Sequence, residues 1–208
     1  MLFRSLLATT ERFLVADAAE NAPPSAPGDR ITLRHLTALV RSGLCQLSAF
    51  PLSVQFNCAD SIVVGTASSP LLEQLGNVST DQLRQRITWT GDRNFYVGVA
   101  NFWSIKSPGA DASADSMTLD AWRSHWGAGE NNVSTSVPWK QLPPAERAIS
   151  AHSPADYALD SAAGENSPRK AASDGRDAGM DAERLPSPPP EPGLPEKADQ
   201  KPAPKAKD

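Results

Sequence analysis

SIVVGTASSPLLEQL (Ser61 to Leu75) and NFYVGVANFWSI (Asn94 to Ile105) are two versions of one pattern. Looser versions lie upstream, as SLLATTERFLV (Ser5 to Val15) and TALVRSGLCQL (Thr37 to Leu47). Each opens with a small polar residue, runs through three mostly apolar residues, breaks, and resumes an apolar run. The last three are preceded by Ile31-Thr32-Leu33, Val54-Gln55-Phe56 and Ile87-Thr88-Trp89, the alternation of a strand with one buried face. The opening residues Ser5, Thr37, Ser61 and Asn94 are 32, 24 and 33 residues apart. A period of that size indicates stacked units, and the middle spacing suits three short strands joined by turns. The expectation is an all-β solenoid of about four coils. Its second strands would be Leu39-Val40, Ile62-Val63-Val64 and Phe95-Tyr96-Val97. Its third would be Leu44 to Leu47, Leu71 to Leu75 and Phe102 to Ile105. Thr37, Ser61 and Asn94 would lie above one another at a bend and bond along the stack.

Outward from the repeat, the longer intervals hold loop insertions, one from Ala18 to Asp29 and one from Gly76 to Gln82. The pattern stops after Ile105. Ser107 to Ser116 reads as a loop, and Thr118 to Gly127 reads as a short helix. Thr118 is a good N-cap, Asp120 suits the first turn, and Gly127 is a natural stop. Leu119, Trp122 and Trp126 share one apolar face, fit to cover the end of the stack. The chain therefore divides into coils over 1–105, a sleeve strand, capping helix and irregular wrap over 106–185, and a tail over 186–208.

Composition sets limits on function. The tail has 8 prolines in 23 residues and no aromatic residue, so it cannot bury enough apolar surface to order itself. Its four lysines and four acids cancel. The whole chain has a formal charge of −4, with no electrostatic footprint for nucleic acid. No apolar run approaches the ~18 residues that span a bilayer. In MLFRSLLA, Arg4 interrupts the apolar core and polar residues follow at once, so no signal peptide is predicted. Met1 then starts inside a repeat, which suggests the C-terminal end of a longer chain. Cys45 and Cys58 match neither a disulfide framework nor a metal spacing and are expected to be buried free thiols.

From Asn94 to about Leu185 the chain resembles the C-terminal end of right-handed parallel β-helix proteins of the pectate-lyase-like type. The residues that carry the resemblance are Asn94-Phe95-Tyr96, Phe102-Trp103, Thr118-Leu119-Asp120-Ala121-Trp122 and Gly127. They continue through Ser136-Val137-Pro138-Trp139, Asp156-Tyr157-Ala158-Leu159, Ser161-Ala162-Ala163 and Gly175-Arg176-Asp177-Ala178-Gly179-Met180-Asp181. The resemblance implies that fold, in a family of polysaccharide lyases and hydrolases and many non-catalytic surface, adhesion and sensor modules. Large bacterial proteins also place such modules behind other domains, signalling kinases among them.

Lyases of that fold hold calcium on clustered acids and use a basic residue to remove a proton. Here Asp60 and Asp92 are the acids near the bend, with Arg34 and Arg93 beside them. One coil apart, two carboxylates would lie roughly 5 Å from each other. His35, His125 and His152 have no metal spacing. Trp103, Trp122, Trp126 and Trp139 are candidates for stacking on sugar rings, though a cap and its neighbouring strand more often bury such rings. The ligand candidates are thus Asp60, Asp92, Arg93, Trp103 and Trp122, with no catalytic residue, metal or cofactor expected. The expected function is a monomeric, non-catalytic module in a surface, carbohydrate-contacting or sensor role. Its partner would be a polysaccharide or another protein domain, not nucleic acid or membrane. The alternative is the remnant of a polysaccharide lyase or hydrolase.

Overall fold

Among the described residues eleven strands form, of 3 to 12 residues, several where β-branched and aromatic residues alternate with polar ones. The computed structural model describes residues 1–17, 28–48, 53–107, 115–127, 137–141, 147–161 and 167–185. Of the expected loops, 18–27 and 108–114 lie outside the described residues, as does the tail 186–208; Asp29, Asp115 and Ser116, expected in those loops, belong instead to strands, where they pair with neighbouring chain. In chain order the strands are β1 (Leu2–Thr9), β2 (Leu14–Ala16), β3 (Asp29–Val40), β4 (Cys45–Leu47), β5 (Val54–Ala59) and β6 (Ile62–Val64). They continue as β7 (Leu72–Leu75), β8 (Ile87–Asp92), β9 (Phe95–Val97), β10 (Trp103–Lys106) and β11 (Asp115–Met117). Helix α1 (Thr80–Arg84) lies between β7 and β8, and α2 (Leu119–Trp126) follows β11.

Two sheets result. One has the order β8-β5-β3-β6-β9, with β1 also paired to β3; the other has the order β11-β10-β7-β4-β2. All pairings are parallel except that of β10 with β11. Strand β3 is unbroken over 12 residues. Its first half pairs with β5 and its second half with β6, so the sheet curls around the join.

The expected all-β parallel β-helix of about four like coils is therefore corrected. The structure is mixed α/β, with two parallel-strand sheets, one of them a curled half-barrel, and two α-helices among the described residues. The physical reason is that the repeats are unequal. The second passage is one long strand where the third and fourth use two, and local capping turns two connecting segments into helices. The Gly76 to Gln82 stretch was expected to be only a loop. Ser79 accepts from the Gln82 amide, and the Gln82 side chain accepts from the Ser79 amide, closing a capping box. Leu83, fully buried, then anchors α1 on the core, and the Gln74 Nε2 donates to its carbonyl at 2.7 Å.

The expected bend is also shifted by one residue. Thr37 pairs with Ile62, which puts Leu36, not Thr37, alongside Ser61. Period-2 alternation decides what is buried. Val54, Phe56 and Cys58 on β5 and Ile87 and Trp89 on β8 point inward, while Gln55, Thr88 and Thr90 point out. Phe56 lies 5.3 Å from Trp89, and Trp89 5.1 Å from Trp122, ring centre to ring centre. Helix α2 runs between its expected caps. Thr118 Oγ1 accepts from the Ala121 amide, and Gly127 closes the helix at φ 80°. It lays Trp122 against Phe102 and Trp103 and closes the core. A smaller apolar cluster of Ile62, Phe95, Val137 and Ala178 seats the segments after α2 on the outside of β6 and β9.

Candidate functional site

The join of the curled sheet carries one left-handed residue from each passage of the chain. Arg4, His35, Asp60 and Arg93 have φ of 48°, 50°, 55° and 51°. The flanking pairs Phe3–Arg34, Ser5–Leu36, Arg34–Ala59 and Ala59–Asp92 align these four residues. For residues other than glycine this conformation costs about 1–2 kcal/mol each, so the surroundings must fix it. The next position inward does so in part. Ser61 Oγ accepts from the Leu36 amide at 3.1 Å and donates to the Ala59 carbonyl at 2.8 Å. Asn94 Oδ1 accepts from the Ser61 amide at 3.2 Å, and Asn94 Nδ2 donates to the Cys58 carbonyl at 2.7 Å. Ser61 and Asn94 are fully buried, and they satisfy backbone groups that the bend takes out of the ladder.

Asp60 is the centre of this join. It is fully buried. Its carboxylate accepts from Arg93 Nε at 2.7 Å, the Ser173 amide at 2.8 Å and the Ser173 hydroxyl at 2.6 Å. His35 Nε2 lies 3.8 Å away. Burial pulls the carboxyl upward, but the bonds from Ser173 and Arg93 outweigh it and hold Asp60 below the usual aspartate range. The Asp60 carbonyl accepts from the Gly179 amide at 2.7 Å, and Thr37 Oγ1 accepts from the Met180 amide at 2.9 Å. Asp174 faces Arg4 at 3.4 Å and His35 at 3.7 Å. The join therefore pins the segment 173–180 onto the sheet.

The expected stacking of Asp60 over Asp92 does not occur. Asp92 is level with Ala59, and both carboxylates close on Arg93, whose Nη1 reaches Asp92 at 2.5 Å. Arg93 is raised further by its hydrogen bond to Asp60, so it cannot serve as a base. Trp103 and Trp122 are fully buried and offer no face to a sugar. Trp103 stacks on Trp126 with ring centres 5.5 Å apart. Arg34 is exposed on the outer face of β3. Cys45 and Cys58 are buried free thiols, as expected. Burial pushes Cys45 up to about 12 despite nearby Arg12, which makes it inert. Glu73, a buried carboxylate the sequence reading passed over, is held by Arg12 and by Lys106 at 2.7 Å. No group of three or more His, Cys, Asp or Glu among the described residues could hold a metal. No helix among them is long and apolar enough to cross a membrane.

The pinned segment builds something the sequence reading missed. Together with 157–159, 169–170, Asp181, Ala182 and Arg184 it frames a cleft of about 510 Å³. Tyr157, Leu159 and Met180 contribute apolar surface, and Arg169, Lys170, Arg176 and Arg184 contribute charge, against Asp177 and Asp181. Trp139 and Leu159 form an antiparallel bridge that fixes one wall. Tyr157 is held through its hydroxyl by His152 Nδ1 at 2.6 Å. The sequence signal for this site is the density of Arg and Lys around Gly175-Arg176-Asp177, a stretch that entered above only through the family resemblance. Comparison with family models, with curated proteins and with solved structures finds no match to this chain.

Proposed function

We propose that this chain is a non-catalytic binding module that contacts an acidic carbohydrate through its C-terminal wrap, with the two sheets as a rigid support. The observation that carries this reading is the cleft itself. Four cations and two carboxylates line a concavity of ligand size, on a segment fixed from behind by a buried aspartate. The acids first considered for chemistry are engaged elsewhere, Asp60 with Ser173 and Arg93, Asp92 with Arg93.

Thermal melting with oligogalacturonides, with sugar phosphates and with a neutral oligosaccharide tests this reading. The expected result is a rise in Tm with the acidic sugars alone, and no unsaturated product in the ultraviolet with or without calcium. Product formation would show a polysaccharide lyase instead. No Tm change with either acidic ligand would remove the binding reading altogether.

A further inference from the structure

We propose that the cleft is selective for a phosphate monoester on a sugar-sized body, a refinement that rests on the wrap being the binding surface. The first ground is charge. Arg169, Lys170, Arg176 and Arg184 set against Asp177 and Asp181 leave a formal excess of two positive charges among the described lining residues. A phosphate monoester carries nearly two negative charges at neutral pH. A single carboxylate neutralises only half of that excess.

The second ground is how the cations are held. Arg169 meets Asp177 through Nη1 at 3.2 Å, and Arg184 meets Asp181 through Nε at 3.3 Å. The Arg169 and Arg184 side chains stay 34 % and 47 % exposed beside these carboxylates, so both guanidinium groups remain accessible to a ligand. Arg176 lies 3.8 Å from Asp174, a carboxylate that also serves Arg4 and His35. The Lys170 ammonium has no carboxylate within ion-pair distance among the described side chains. Its backbone amide instead donates to Asp177 at 3.0 Å, which fixes the residue's position.

The third ground is geometry. The four cations come from three separate stretches of chain, at 169–170, 176 and 184. One arginine fork satisfies a planar carboxylate, whereas a tetrahedral phosphoryl group accepts donors from several directions. Tyr157, Leu159 and Met180 supply apolar surface for the body of the ligand.

Calorimetric titration of the full chain with glucose 6-phosphate, inorganic phosphate, galacturonate and glucose tests the assignment. Glucose 6-phosphate is expected to bind at least about tenfold more tightly than galacturonate or inorganic phosphate, and glucose not at all. Lys170→Gln and, separately, Arg176→Gln are each expected to weaken glucose 6-phosphate about tenfold while leaving the ligand-free Tm in place. Two variants keep the test open if one misfolds. Galacturonate binding as tightly as the monoester would overturn the phosphate assignment and leave the acidic-carbohydrate reading standing. Inorganic phosphate binding as tightly would overturn the claim on the sugar body. Failure of every anion to bind would overturn both readings.

Discussion

Asp60 combines burial, a left-handed backbone and a full set of donors in a single residue. A buried charge is stable only where its partners replace water, and Arg93 and Ser173 do so here. Asp60→Asn keeps the shape and tolerates the left-handed conformation but removes the charge. It is expected to cost about 2–3 kcal/mol in urea unfolding, below the loss for a fully buried pair because the Arg93 side chain is 29 % exposed. Amide exchange should accelerate in 173–180 before it does in the strands. The same residue sets an acid limit. Its folded pKa lies below the ordinary 3.8, so its contribution is present in full above about that pH and is lost as pH falls through the lower folded value. Acid titration followed by circular dichroism should therefore show the wild type losing stability below pH 3.8, with Asp60→Asn showing a smaller acid-dependent loss.

Among the elements, the two helices show different origins. Helix α2 follows from local signals, with Thr118 and Gly127 as caps and an apolar face of Leu119, Trp122 and Trp126. That face meets the core through Trp122, which touches Trp89, Phe102 and Trp103. Trp122→Ala is expected to destabilise by about 3–5 kcal/mol in thermal or denaturant melts, the range for removing a buried aromatic. Helix α1 is only five residues long and depends on its capping box and on Leu83. Ser79→Ala removes both the side-chain cap and its link to Gln82, and about 1 kcal/mol of stability should go with it. Such a helix was hard to see in the sequence because Gly76-Asn77 is a strong turn signal and one turn shows no periodicity. The strands were easier. Val54 to Phe56, Ile62 to Val64 and Phe95 to Val97 alternate or cluster in a way that sheet burial alone explains.

At the scale of the whole molecule, two apolar clusters share one join. The larger fills the space between the sheets and under α2, and the smaller seats the wrap on β6 and β9. Gly179 is where the wrap comes closest. Its φ is +87°, and a Cβ there would meet Thr37 Oγ1 at 2.6 Å and Ile62 Cδ1 at 2.9 Å. Gly179→Val is therefore expected to release the wrap, and with it the proposed anion binding, while the sheets stay folded. Exchange and melting should then show a separate early phase that the wild type lacks. The strand pattern, the aromatic cap and its helix, and the burial of both cysteines were legible in local sequence, because side-chain period and capping act over a few residues. Tertiary structure alone decided that Leu36 stands level with Ser61, that unequal passages make two curled parallel sheets with helices instead of like coils, and that Asp60 is a clasp. The hydrogen bond from Ser173 to Asp60 joins residues 113 apart in the chain. Ser173 lies between Lys170 and Arg176 in the chain, so the buried carboxylate that holds it fixes the backbone between two of the cleft's cations.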